Sequence, residues 1–580
     1  MIAHTEIQRL NIRTHLSQAI SNDKALPKKL TRMSVITLVA ILITVAISVR
    51  LVYMNTASNS FLAKQMNYRI SRTLNINAMR GSIVDRNDNA LAVSTPVASI
   101  WIDPTELDQI TQSQVKQLAT ILELSVAELN DKLNQKNKTF VYLKRGVSPD
   151  QANLVKALGI EGVYAMQEYK RFYPDGQVTA HVVGFTNVDD NGAEGIEYAD
   201  NKDLLGHNGS EKILRDQQGH VIDNKAIASA KDGKNIQLSI DNQIQFVAYD
   251  ALKKQVSKYH AKGGSAIVMD AKTGEVLAMV NMPTYNPNNR EGVTLDSIRN
   301  RAAIDLYEPG STMKPFIAAY ALDKGVVRPT TVFDTHPYVV GPKQIKDVHT
   351  SPSLNVAQII QKSSDVGISK IAFKFSPEQI WNFDRELGFG QKVGTKFPGE
   401  ARGILLPWAN WKPIDQASIS YGYAISVSLM QMARAYTLFT NNGCLLPVTF
   451  YKEAPGTVHQ CSQIISPQTA KVMRDILSSV TEDGTGVYAQ VDGYTTAGKT
   501  GTAHKATNHG YMANNYVGSF IGFAPAKNPK VIVAVMIDDP KGQYYGGVVA
   551  APVFSEIAGP TLKLLGVAPD KVETSNKKKS

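Results

Sequence analysis

Apolar positions are spread very unevenly along this chain. From Met33 to Val49 there is no charged side chain, and after Arg50 the residues Leu51 to Met54 extend the run. A helix rises about 1.5 Å per residue, so a run of this length covers roughly the hydrocarbon thickness of a bilayer. The pattern predicts one membrane span over 33–54. From 55 to 235 short alternating stretches, Leu91–Val93 and Val97–Ile102, are mixed with helical ones, Val115–Leu124 and Ala127–Lys132. Beyond 236 a strand is predicted at Ile236–Ile240 and an amphipathic helix at Gln243–Val256. Two strands follow, Gly264–Met269 and Val276–Val280, about a turn at Lys272-Thr273-Gly274. Long helices such as Leu429–Phe439 come next, then strands Ser519–Ala524 and Val531–Ile537 and a closing helix Val553–Leu565. A helical middle between the N- and C-terminal strands of one sheet is an α+β pattern.

Composition narrows the class. The chain has 580 residues, 43% apolar and 19% charged, which excludes a disordered tail protein or a coiled-coil rod. Its net charge of +11 raises nucleic acid or a membrane as partners. Residues 1–32 hold +4 of it, with Arg9, Arg13, Lys24, Lys28, Lys29 and Arg32 against two acids, and 568–580 hold +2. The body carries no strongly basic stretch, so nucleic-acid binding is not the expectation. The basic cluster precedes the apolar run, which reads as an uncleaved signal-anchor with residues 1–32 in the cytoplasm and the bulk outside. Two cysteines exclude a disulfide scaffold. Cys444 and Cys461 flank a hairpin-like stretch with a Pro455-Gly456 turn, and in an oxidising compartment they are expected to pair; two unpaired thiols are the alternative.

Gly493 to Thr500 satisfies the phosphate-loop pattern G-x-x-x-x-G-K-[ST]. A phosphate loop must run straight into a helix whose N-terminus faces the phosphate. Here the continuation from Gly501 is polar and glycine-rich with no apolar period, so no nucleotide is expected. The same lysine closes a different set: S-x-x-K at Ser311-Thr312-Met313-Lys314, a serine-x-polar element at Ser363-Ser364-Asp365, and K-T-G at Lys499-Thr500-Gly501. Pro309-Gly310 ahead of an apolar run reads as a helix start that puts Ser311 and Lys314 on one face. A serine hydroxyl is a weak nucleophile and needs a base, and a lysine serves if desolvation or a second cation keeps it neutral. Lys499 can supply that cation, Ser363 can relay a proton, and the N–H groups of Ser311 and Thr502 can form an oxyanion hole. Asp365, Thr500, Gly501 and Thr502 are the expected substrate contacts. The chemistry calls for no metal and no cofactor.

With these three elements the chain resembles the class B penicillin-binding proteins, specifically the septal, FtsI-type D,D-transpeptidases. Further boxes carry the resemblance: Arg80–Asn87, Arg171–Pro174, Ala180–Gly184 and Gly192–Glu197, then Leu387–Gly390, Phe397–Glu400, Ser420–Tyr423 and Tyr544–Gly547. It implies a membrane anchor at 33–54, an elongated mixed α/β pedestal over 55–235, a serine transpeptidase domain over 236–567 and a basic flexible end over 568–580. It implies that Ser311 attacks the penultimate D-Ala of a peptidoglycan stem peptide, that β-lactams acylate the same serine, and that an FtsW-type glycosyltransferase and other division proteins are partners. Asp365 departs from the usual Asn. A carboxylate only accepts hydrogen bonds, and it is expected to attract Lys314 or Lys499 and raise the lysine pKa. Elongation-type relatives often carry Asp here, so an elongation enzyme is the nearest alternative. A catalytically silent scaffold is the more distant one.

Overall fold

Twenty-five residues form the first helix, Arg32–Thr56, and none of them is buried. The computed structural model describes residues 32–56, 71–107, 110–215, 221–457, 461–507 and 510–571. Among these the first helix alone is long and apolar enough to cross a membrane. Its Thr37 and Thr44 hydroxyls donate to the carbonyls of Met33 and Ala40, so they need no water. The basic residues expected to hold the N-terminus inside, Arg9 to Lys29, lie outside the described residues.

The described residues fall into two compact units. One comprises residues up to Asn75 together with Ser210–Ala228. Besides the first helix it holds most of a three-stranded sheet, ordered Ser71–Ile76, Gly209–Arg215, Val221–Ala228. The other comprises Ile76–Gly209 and the chain from Ser229 onward.

In this second unit the strand Ala90–Ile102 pairs with Val163–Phe172 along ten residues and with Val141–Val147 from Ala98 onward. Helices Gln112–Leu122, Val126–Leu133 and Pro149–Ala157 bury Leu118, Leu122, Leu129 and Val155 against Ile100, Ile102 and Leu143. The two short strands expected at 91–93 and 97–102 are one strand running through Pro96. Proline lacks an N–H, but at Pro96 only the Val163–Phe172 side is paired, so no ladder bond is lost on the other. The first boxes of the resemblance meet next to this strand. Arg80 Nε and Arg171 Nε each donate to the Glu197 carboxylate at 2.6 Å, with all three side chains buried.

The remainder is built on a five-stranded antiparallel sheet. Its order is Val276–Met282, Gly263–Asp270, Val531–Asp538, Gly510–Ala524, Ala497–Thr507, so the early and late strands lie side by side as expected. Every residue of Val276–Met282 and of Val531–Asp538 is buried. A strand covered on both faces needs apolar residues at successive positions, which is why these segments read as unbroken runs. Helices Asn242–Lys258 and Ala551–Leu564 pack on one face, and Leu429–Thr440 with the helical middle on the other.

Three local expectations change. Only Ile236–Gln237 forms a strand, parallel to Ile83–Val84, because Leu238 and Ser239 turn to the Phe450–Tyr451 backbone. Cys444 and Cys461 do form a disulfide, with Cα atoms 5.5 Å apart. The hairpin between them is only two residues deep, Cys444–Leu445 with Ser462–Gln463, since Thr449 and Tyr451 bridge to Glu275 and Leu238. At the C-terminal end Asp570 is held: its carboxylate accepts from the Thr495 N–H at 2.7 Å and from the Thr495 hydroxyl. The rest of the expected basic end, 572–580, lies outside the described residues.

Candidate active site

The S-x-x-K element does not open directly as an α-helix. Gly310–Thr312 form a single 3₁₀ turn, and the helix runs Lys314–Asp323 with Pro315 in its first turn, where a missing N–H costs nothing. The helix is buried from Lys314 to Ala319, so the lysine sits in the interior. Gly422 (φ +83°) presses on this turn so closely that a Cβ there would meet the Gly310 carbonyl oxygen at 2.1 Å. That contact is a physical reason for the Ser420–Tyr423 box.

Ser363 joins helix Val356–Gln361 to helix Asp365–Ala372 with φ +63°, an uncommon conformation for a serine. Asp347 holds this joint: its carboxylate accepts the Ser364 hydroxyl at 2.5 Å and the Val366 N–H at 2.9 Å. Nothing in sequence spacing signals Asp347. Lys499 lies on the edge strand Ala497–Thr507 and is fully buried. Gly501, two residues on, is buried, and a Cβ would meet Ser519 Oγ at 2.4 Å and the Pro309 carbonyl at 2.8 Å, so only a glycine lets the strand approach the Ser311 turn.

Both lysines converge on one hydroxyl. Ser363 Oγ is 3.1 Å from Lys314 Nζ and 3.0 Å from Lys499 Nζ. Lys314 also donates to the Ser363 carbonyl at 2.6 Å and pairs with Asp365 Oδ1 at 2.6 Å. Lys499 also donates to the Thr500 carbonyl at 3.1 Å. Among the described residues Lys314 makes no hydrogen bond to Ser311 Oγ; its partners are Ser363 and Asp365. Burial first, and then the Lys314 charge, hold the Lys499 amine well below its ordinary range, with Asp365 pulling the other way. Two buried amines on one hydroxyl, one of them paired with a carboxylate, can exchange a proton through that hydroxyl.

A cavity of about 540 Å³ opens beside this cluster. Ser311, Ser363, Asp365, Thr500 and Thr502 line it, together with an aromatic wall that sequence reading left without a role. Tyr516 stacks on Tyr544 at 3.9 Å between ring centres, His504 lies 4.5 Å from Tyr516, and Tyr423 and Tyr545 also reach the cavity. Thr500 Oγ1 bonds Thr485 Oγ1 at 2.8 Å, and Thr502 Oγ1 accepts the Gly546 N–H at 3.0 Å. The second bond ties the Tyr544–Gly547 box to the K-T-G strand. The phosphate-loop alternative ends here, because Lys499 continues into a strand rather than a helix.

Residues 264–559 match the penicillin-binding protein transpeptidase domain, and residues 75–238 match the penicillin-binding protein dimerisation domain. The chain is a class B penicillin-binding protein. It is 43% identical over 553 residues to the probable peptidoglycan D,D-transpeptidase PenA of Neisseria gonorrhoeae, covering 94% of each chain. It is 37% identical over 535 residues to the peptidoglycan D,D-transpeptidase FtsI of Escherichia coli, covering 91% of each. The crystal structure of a peptidoglycan synthetase from Bifidobacterium adolescentis superposes with a TM-score of 0.70 at 26% identity, over 87% of this chain and 98% of that one. This class B penicillin-binding protein is accordingly a peptidoglycan D,D-transpeptidase, a serine acyltransferase.

Proposed function

We propose that the protein cross-links stem peptides at the division septum, from the outer side of the cytoplasmic membrane, through an acyl-enzyme on Ser311. The convergence of two buried lysines on the Ser363 hydroxyl, in the cavity that Ser311 also lines, carries the acyl-enzyme part of this reading. Ser311 Oγ attacks the carbonyl of the penultimate D-Ala, and the new oxyanion is met by the N–H groups of Ser311 and Thr502. Lys314 first passes its own proton through the Ser363 hydroxyl to the neutral Lys499 amine, then takes the serine proton and delivers it through Ser363 to the departing amine of the terminal D-Ala. An amine of a second stem then attacks the ester. Its proton returns by the same route and Ser311 is restored. Thr500 and Thr502 would bind the substrate along the edge strand, with Lys499 holding its terminal carboxylate.

The septal placement rests on the breadth of the motif set shared with FtsI-type enzymes. The outward orientation rests on the basic residues before the Arg32–Thr56 helix and agrees with the Cys444–Cys461 disulfide, which persists in an oxidising compartment. An FtsW-type glycosyltransferase and other division proteins would be partners, and β-lactams inhibitors. Labelling of the detergent-solubilised chain with a fluorescent penicillin tests the chemistry: it is expected for the intact protein and lost in Ser311→Ala, and a label that survives that change overturns the reading. A fluorescently tagged copy tests the place. It should gather at midcell, and a side-wall pattern would assign the protein to elongation instead.

A further inference from the structure

The chain between Cys444 and Cys461 lies across the junction of the two matched domains. Phe450 is fully buried and packs on Phe397, with ring centres 5.0 Å apart. Its carbonyl accepts the Ser239 N–H at 2.8 Å, and the Lys452 N–H donates to the Gln237 carbonyl at 3.2 Å. This strap therefore grips the segment where the dimerisation-domain match ends, at residue 238. Tyr451 reaches further: its hydroxyl donates at 2.8 Å to Asp200 Oδ2, inside the dimerisation domain. From Ala454 to Thr457 the strap is exposed, and it returns to its own start through the disulfide and the two-residue ladder beside it.

The two sulfur-bearing residues are placed unequally. Cys444 is 5% exposed, whereas Cys461 is an exposed residue. A thiolate attacks the sulfur it can reach and expels the other, so attack falls on Cys461 and Cys444 is the leaving group. A partner for the released thiol is already in place. Gln463 Oε1 lies 3.6 Å from Cys444 Sγ, and its orientation is fixed because Nε2 donates to the Asn442 carbonyl at 3.0 Å and to the Ile465 carbonyl. A disulfide sulfur has no hydrogen to give that oxygen, but a thiol has one.

We propose that the Cys444–Cys461 bond is a thiol–disulfide exchange site, opened at Cys461 Sγ by a dithiol protein, and that opening it loosens the edge of the domain junction held by the strap. This goes beyond the transpeptidase reading and stands without it. The partner's thiolate bonds Cys461 Sγ as the S–S bond breaks, and the electron pair leaves on Cys444 Sγ, which takes up a proton. The partner's second thiolate then attacks its own half of the mixed disulfide and releases Cys461, which is protonated in turn. The partner ends as a disulfide, oxidised by the two electrons that the chain has gained.

Hydrogen exchange read by mass spectrometry tests it, on the detergent-solubilised full-length chain with or without the small dithiol dithiothreitol. Reduction should go to completion without denaturant and make the Ser239 and Lys452 amides exchange about tenfold faster. The Tyr173 amide donates to Asn288 Oδ1 at 3.0 Å across another edge of the same junction, and it should keep its rate. Alkylation identifies the sulfur, since the chain has only these two cysteines. The Cys461 thiol left in Cys444→Ala should react with a maleimide at least about tenfold faster than the Cys444 thiol left in Cys461→Ala. A bond that opens only in denaturant, unchanged exchange at Ser239 and Lys452, or an equal rise at Tyr173 overturns the proposal, as does the reverse order of alkylation. Should either variant fail to fold, the reduction of the intact chain decides by itself.

Discussion

Two clusters in this protein each set two buried basic side chains near one carboxylate, and they behave oppositely. In the first, Arg80 and Arg171 both bond Glu197 at 2.6 Å, and Arg80 also donates to the carbonyls of Asp190 and Glu197 and to the Asn201 side chain. In the second, Lys314 pairs with Asp365, and Lys314 and Lys499 share Ser363 Oγ. A guanidinium stays charged in a protein, so burying it demands near-complete hydrogen bonding and yields a rigid joint. A lysine has another way out: when burial makes its charge costly it gives up the proton. The arginine cluster is therefore built to stay as it is, and the lysine cluster to change its protonation.

The sharpest way to break that contrast is Lys499→Arg. If the site depends on an amine that can be neutral, acylation by a fluorescent penicillin should fall by about a thousandfold or more, although the charge and reach are kept. Rates within about tenfold of the intact chain would mean the site needs only a cation there.

The mirror experiment is Glu197→Gln, which leaves two buried guanidiniums facing a neutral amide. The expected loss is about 3–5 kcal/mol of stability, seen as a lower thermal midpoint, with the low-temperature acylation rate of the folded fraction unchanged. A rate change without a stability change would make the first cluster part of the chemistry.

His181 sharpens the comparison with a third buried base. It is 6% exposed, hydrogen-bonds the Ser297 carbonyl at 2.8 Å, and desolvation pushes its pKa down to about 4. The unfolded chain takes up this proton below about pH 6.5. The folded one does so only near 4, so stability is full above 6.5 and is lost as pH falls toward 4. This residue should account for about 3 kcal/mol of the acid-side loss, read as the difference in pH slope between the intact chain and His181→Gln.

The smallest effect belongs to Asp365→Asn read by pH. Asp365 favours the ammonium form of Lys499, so its removal should let the amine become neutral at lower pH. The acid limb of the acylation profile should then move down by about one unit. An unmoved limb would mean that the carboxylate does not act on the lysines.

Much of the architecture was legible along the chain. The apolar run at 33–54 forms one long helix, and the buried strands Val276–Met282 and Val531–Asp538 and the helix Leu429–Thr440 carry patterns that follow directly from what surrounds them. The three motif elements were legible because their chemistry needs particular residues at short spacing. Less legible were contacts between segments distant in sequence. Asp347 anchors the Ser363 joint from 17 residues before Ser364, and Tyr516 and Tyr544 stack from separate elements. The hairpin about Pro455-Gly456 was overread for the same reason, since Thr449 and Tyr451 found partners in other strands.

By itself the sequence determined which groups are available: one anchor-length helix, a serine, two lysines, and an aspartate where an amide is usual. Tertiary structure alone decided that both lysines meet at one hydroxyl, that Asp365 takes Lys314 rather than Lys499 as its ion-pair partner, and that Lys499 is dry enough to lose its charge. Residue identity sets which protons can move. Distance and desolvation set whether they do, and both arise only when segments far apart in the chain are packed together.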